Sequence, residues 1–152
     1  MASTRGPALV DVLVHHRHAV AVEGATVRVV LLQHALAASP DDGAALSVGW
    51  GTKVRQALTS GGAPTGGWGL TDGWSVVDAA QPVRAPAGPV HPRTPRAVTF
   101  NLDLATAAAG TRLMLVAIAA STVDLPPAFS GSNLRDVVLR NHWVAARTLT
   151  VV

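Results

Sequence analysis

The sequence predicts an all-β fold: an antiparallel sandwich with one or two short helices in its connections, formed by residues 1–152 as a single domain. Three observations lead there. Several segments alternate apolar and polar residues with the two-residue period of a strand. Turn chemistry built on Gly, Pro, Asn and Asp separates them at short intervals. No segment carries the apolar stripe of a long crossover helix, so a parallel sheet is not indicated. With 152 residues the chain is long enough for one core. Apolar residues make up 49% and charged residues 14%, against about 25% charged in an average domain. A surface so poor in charge suggests that another chain covers part of it.

The first element is "ALVDVLVHH". Val10, Val12, Val14 and His16 share one face; Leu9, Asp11, Leu13 and His15 share the other. "VEGA" turns the chain at Gly24, and "TVRVVLLQHAL" (26–36) follows, rich in β-branched residues and apolar on both faces for part of its length. Strand, short turn and strand predict an antiparallel hairpin. "ASPDDGA" (38–44) is a turn. Trp50, Val54 and Leu58 have helical spacing, and Gly49 and Gly51 limit the helix to about 52–59. "SGGAPTGGWGLTDGW" (60–74) is a glycine-rich loop, and "SVVDAAQPV" (75–83) a short strand.

Prolines at 82, 86, 89, 92 and 95 exclude a central strand from the next stretch. The last four recur every three residues, the period of polyproline II. Such a segment is either a groove ligand or the connection that carries the chain from one sheet to the other; the second is preferred. "AVTFNLDL" (97–104) points Val98, Phe100, Leu102 and Leu104 inward. "TRLMLVAIAAS" (111–121) is apolar on both faces, as a central strand must be. "NLRDVVLRN" (133–141) offers Asn133 as a cap and Leu134, Val137 and Val138 as one stripe, so a short helix is predicted. "WVAARTLTVV" closes as a strand, with Leu149 and Val151 inward and the Thr-bearing face toward solvent. Arg147 shares the inward face. It is expected to cross the end of the sandwich and bond backbone carbonyls or an acid such as Asp136 or Asp124.

Net charge is +3, carried by eleven arginines and Lys53, the sole lysine, and these are scattered. Without a basic run, no nucleic-acid partner is predicted. The absence of cysteine excludes disulfides, thiolate catalysis and Cys-bound zinc. "MASTRGPALV" lacks the apolar core of a signal peptide, and "LMLVAIAA" (113–120) is too short to span a bilayer, so no membrane insertion is predicted. The compartment stays open.

Three histidines fall within residues 15–18. His16 and His18 share a strand face and could share a metal, with His34 on the next strand as a third ligand. A zinc site needs at least three protein ligands and a second shell of acceptors, and no carboxylate adjoins His16 or His18. They are read as half-buried residues at a strand end, and no cofactor is expected. No nucleophile elbow is present, and Ser130 has no base at recognisable spacing. The nine acids form no nominated pair, and the glycines of 61–69 do not lead into a phosphate cradle. The chain is therefore expected not to be an enzyme, with no catalytic residue; a metal-dependent hydrolase is the weakest reading.

Trp68 and Trp74, with Trp50 upstream, are the candidate binding residues. Indoles in a glycine-rich loop can stack on sugar or anchor a protein contact. They can equally plug the end of a sandwich whose Ala and Val leave room, and this second role is preferred.

Both ends of the chain resemble a known family. "ALVDVLVHHRHAVAVEGATVRVVLL" is similar to the opening of bacterial CARDB-like and related immunoglobulin-like modules, where a first strand, a small-residue turn and a "V.V.L" strand recur. "LRNHWVAARTLTVV" is similar to their close, a polar turn before a strand bearing an arginine and ending in valines. Here these are Asn141, His142 and Trp143, then Arg147, then Thr150, Val151 and Val152. Residues 41–96 depart from the pattern. The resemblance implies an immunoglobulin-like accessory β-sandwich in a larger bacterial protein, used for adhesion, spacing or assembly. It implies no catalytic residue; the low charge and the terminal strands lead to the expectation of a protein partner or a second copy.

Overall fold

The computed structural model describes residues 6–15, 23, 26–37, 43–121 and 132–152. Among these residues seven strands and two short helices follow one another: β1 (Ala8–Val14), β2 (Val27–Leu36), α1 (Thr52–Ser60), β3 (Trp74–Val76), β4 (Val83–Arg84), β5 (Arg96–Leu102), β6 (Arg112–Ser121), α2 (Leu134–Arg140) and β7 (Val144–Thr150). All pairings are antiparallel, and the fold is a sandwich-like all-β arrangement. The larger sheet has the order β3-β2-β6-β7, with β4 also on β2; β1 and β5 form a separate two-stranded ribbon.

The larger sheet is buried on both faces. On one, Val29, Leu31, Leu113, Leu115 and Val151 pack against Val98, Phe100 and Leu102 of the ribbon. On the other, Val30, Leu32, Met114, Val116 and Ile118 meet Val54, Ala57 and Leu58 of α1 and Leu134 and Val137 of α2. This explains why β2 and β6 read as near-continuous apolar runs. They are neighbours in the middle of the sheet and need apolar side chains on both sides.

The predicted β1–β2 hairpin does not form. β1 pairs with β5 over its whole length, Ala8 opposite Leu102 and Val14 opposite Arg96. The physical reason lies in the patterns: β2, apolar on both faces, takes a central place with β6 on one edge and β3 and β4 on the other. β1 alternates, so it suits an outer ribbon with one face on the core and one in water.

The strand expected over 75–83 is two pieces, β3 and β4, both on β2. Between them Asp78 takes φ 58°, which ends the first piece. The proline segment does carry the chain from the larger sheet to the ribbon. It is not one polyproline helix, because Gly88 has φ 86° and residues 91–94 close a turn with Thr94 N–H donating to the His91 carbonyl at 3.2 Å. Pro86 and Val90 are buried in it, so the segment serves packing.

The helices are held at their ends. The Arg28 guanidinium donates to the Leu58 carbonyl (3.0 Å) and to that of Thr59, placing a cation at the C-terminus of α1, where the helix dipole favours it. Asn133 caps α2, its Oδ1 accepting from Asp136 N–H at 2.9 Å.

Candidate functional site

The aromatic residues nominated from sequence gather on the helix side of the larger sheet. β2 and β3 pair His34 with Trp74, and their rings meet edge-on at 5.1 Å between centroids. Trp50 stands at 90° to Trp74, 4.8 Å away. Both indoles are buried. Trp74 Nε1–H donates to the Ser47 carbonyl at 2.8 Å, whereas Trp50 Nε1 is buried without a partner among the described residues. Neither ring offers a face to a ligand from solvent; these two indoles are core. Trp68 is half-buried and packs against the same cluster. Its loop is tied to α1 by Lys53, whose ammonium donates to the Thr65 carbonyl.

Close backbone approach makes this packing possible. A Cβ at Gly49 would lie 2.2 Å from the Thr71 carbonyl oxygen and 2.6 Å from the Trp74 ring. Thr71 N–H donates to the Gly49 carbonyl at 2.9 Å, so the two chain segments touch directly.

Among the histidines, His16 and His18 lie outside the described residues, as does Ser130. His34 is placed, with each ring nitrogen already against a backbone carbonyl oxygen, Nδ1 on Ala35 and Nε2 on Asp72, both at 2.6 Å. No group of three or more His, Asp or Glu gathers among the described residues. No described helix is long and apolar enough to cross a membrane.

Arg147 departs from its predicted role. It sits opposite Leu115 on β7, the outermost strand of the larger sheet, and is exposed. It forms no ion pair among the described residues, and Asp124 lies outside them. At a sheet edge its stem reaches water directly, so no counter-charge is required. Val151 is buried and Leu149 partly buried against the ribbon, but Val144 is also buried, on the helix side. The Thr-bearing face is thus only partly solvent: Thr148 and Thr150 are exposed where Val144 is not. Arg135 and Arg147 help line a groove of about 250 Å³ whose other walls include Met114, Leu134, Val138 and Ala146.

Two further features bear on function. One is a polar node between the sheets. Asp78 Oδ2 accepts from Arg84 Nη2 (2.5 Å), Asn101 N–H (3.1 Å) and Asn101 Nδ2 (3.2 Å). The Asn101 backbone N–H is the main reason its carboxyl titrates below the ordinary value; burial opposes this, and the Arg84 charge adds to it. Arg84 also lies over the Phe100 ring, 5.6 Å from its centre. The other is the outer face of the ribbon. Leu9 is 71% and Leu13 67% exposed, on either side of Asp11, which accepts from Thr99 Oγ1 at 2.6 Å.

Comparison with known proteins finds no matching family model, no matching curated protein and no matching solved structure.

Proposed function

We propose that this domain is a non-catalytic interaction module that docks, through the outer face of its β1–β5 ribbon, onto another protein or a second copy of itself. The observation that carries this reading is the pair Leu9 and Leu13, two large apolar side chains held in water four residues apart on one face of one strand. Exposed apolar groups scattered singly need no explanation, but these two share a face, with Ala97 opposite Leu13. Among the described residues β1 pairs only with β5, so its other edge offers backbone donors and acceptors to a further strand. The thin charge of the sequence and the resemblance of both termini to accessory bacterial modules support the same reading.

Carbohydrate binding is the second reading, favoured by one observation: Trp68 is the one indole of the glycine-rich loop that keeps part of its surface in solvent. Sedimentation velocity over a wide concentration range, on the parent and on a Leu9→Lys/Leu13→Lys variant, tests the first. Self-association that the variant loses without a change in melting temperature supports docking through the ribbon. A chain that stays monomeric throughout and binds glycans saturably, with binding lost in Trp68→Ala, replaces it with the second.

A further inference from the structure

His34 stands between two groups that can only accept hydrogen bonds. Its Nδ1 lies 2.6 Å from the Ala35 carbonyl oxygen and its Nε2 2.6 Å from that of Asp72. A neutral imidazole has one N–H; its other nitrogen bears a lone pair. Only the doubly protonated ring can donate to both carbonyls, and those bonds are then charge-assisted. The geometry points to His34 as a protonation-dependent clamp that ties the turn 71–74 to the end of β2.

What the clamp holds is a turn of costly conformation. Asp72 has φ 56° and Gly73 φ 82°, and the Gly73 position approaches the ring so closely that a Cβ there would be 3.0 Å from Nε2. Trp74 pairs with His34 at the last rung of the β2–β3 ladder. Past that rung no further β2–β3 pair forms, and the ring lies against the Ala35 and Asp72 carbonyl oxygens instead. When it loses a proton, one carbonyl loses its donor and faces a lone pair instead. The neutral ring keeps one N–H bond, and beside it the turn has Thr71 N–H on the Gly49 carbonyl, Trp74 N–H on the Thr71 carbonyl and Trp74 Nε1–H on the Ser47 carbonyl.

Other charges near the ring are few. On the turn, the Asp72 carboxylate accepts from Thr71 Oγ1 at 3.2 Å. On β6 the residue opposite is Met114, and Arg112 lies two positions along, opposite Leu36. β3 brings Trp74, Ser75 and Val76, none charged. On α1, Lys53 is engaged with the Thr65 carbonyl.

The test is nitrogen NMR of the ring through a pH titration of the folded domain, with amide protection of Trp74 followed in the same samples. Both His34 nitrogens are expected to carry protons at the acid end. As one is lost, Trp74 protection should fall about tenfold, the scale of losing one charge-assisted hydrogen bond, while protection of Val116 in central β6 holds. His34→Gln, which donates from a single nitrogen, should show no such pH dependence. A ring that is neutral throughout, or a ring that loses its proton with no change at Trp74, overturns the clamp. So does a folded His34→Gln variant that keeps the pH dependence.

Discussion

Replacing Asp78 by Asn removes a charge from the node that joins the two sheets and leaves its shape intact. Asn tolerates the positive φ of this position as Asp does, and its amide oxygen still accepts from the Asn101 backbone. The loss is therefore the charge on the bond to Arg84 and on those to Asn101. A hydrogen bond to a charged group contributes about 1.5–3 kcal/mol. The Arg84 side chain is 22% exposed and that of Asp78 9%, so water reaches the pair from one side. Screening reduces the expectation to about 1–2 kcal/mol. At about 2–4 °C per kcal/mol for a chain of this size, Asp78→Asn should melt roughly 2–8 °C below the parent near neutrality.

The same node sets a pH dependence of known sign. The folded carboxyl titrates below the ordinary value of 3.8, chiefly because the Asn101 N–H favours its charged form. Its contribution is then complete above 3.8 and is lost as pH falls through the lower folded value. The gap between parent and Asp78→Asn should hold constant near neutrality and close in acid below 3.8. Thermal melts of both proteins across that range measure it. Equal melting near neutrality, or a gap undiminished in acid, would refute the reasoning.

Two further outcomes follow from single contacts. Arg28→Met should keep the aliphatic packing, lose the cation at the end of α1, and cost about 0.3–1 kcal/mol in chemical denaturation. Gly49→Ala should lower the melting temperature far more than Gly62→Ala, because the added methyl meets the Thr71 carbonyl in the first and nothing within 4 Å in the second; equal melts would show that the contact is not tight.

How far the sequence was legible depended on what each pattern encodes. Alternation reports which face of a strand is buried, so the inward set Val98, Phe100 and Leu102 and the two-faced β6 could be read directly. The cap at Asn133 and the glycines around Trp50 bounded the helices for the same local reason. Alternation says nothing of which strand lies alongside, and there the reading failed: β1 and β2 adjoin in sequence but belong to different sheets. The site was less legible still. Asp78 meets Asn101 across 23 residues and His34 meets Asp72 across 38, through backbone atoms that carry no residue-specific signal. The indoles were visible as large residues in a loop, but their burial depends on Gly49 letting two segments touch.

Trp50 and Trp74 then offer a paired prediction in which the same substitution has different effects. Each is buried, and each would lose similar volume on becoming Phe. In Trp74→Phe the Ser47 carbonyl also loses its donor. The bond is only partly buried and water can reach Ser47, so its loss costs about 1 kcal/mol, the net worth of an ordinary hydrogen bond, beyond the packing loss. In Trp50→Phe the substitution removes a buried N–H that has no partner among the described residues, and relieving that desolvation offsets part of the packing loss. Trp74→Phe should therefore be the less stable variant by about 1 kcal/mol in chemical denaturation. Equal losses would mean that water or the facing Trp74 ring already satisfies the Trp50 N–H. A greater loss at Trp50 would mean that shape, through the 90° contact between the two indoles, outweighs hydrogen bonding in this part of the core.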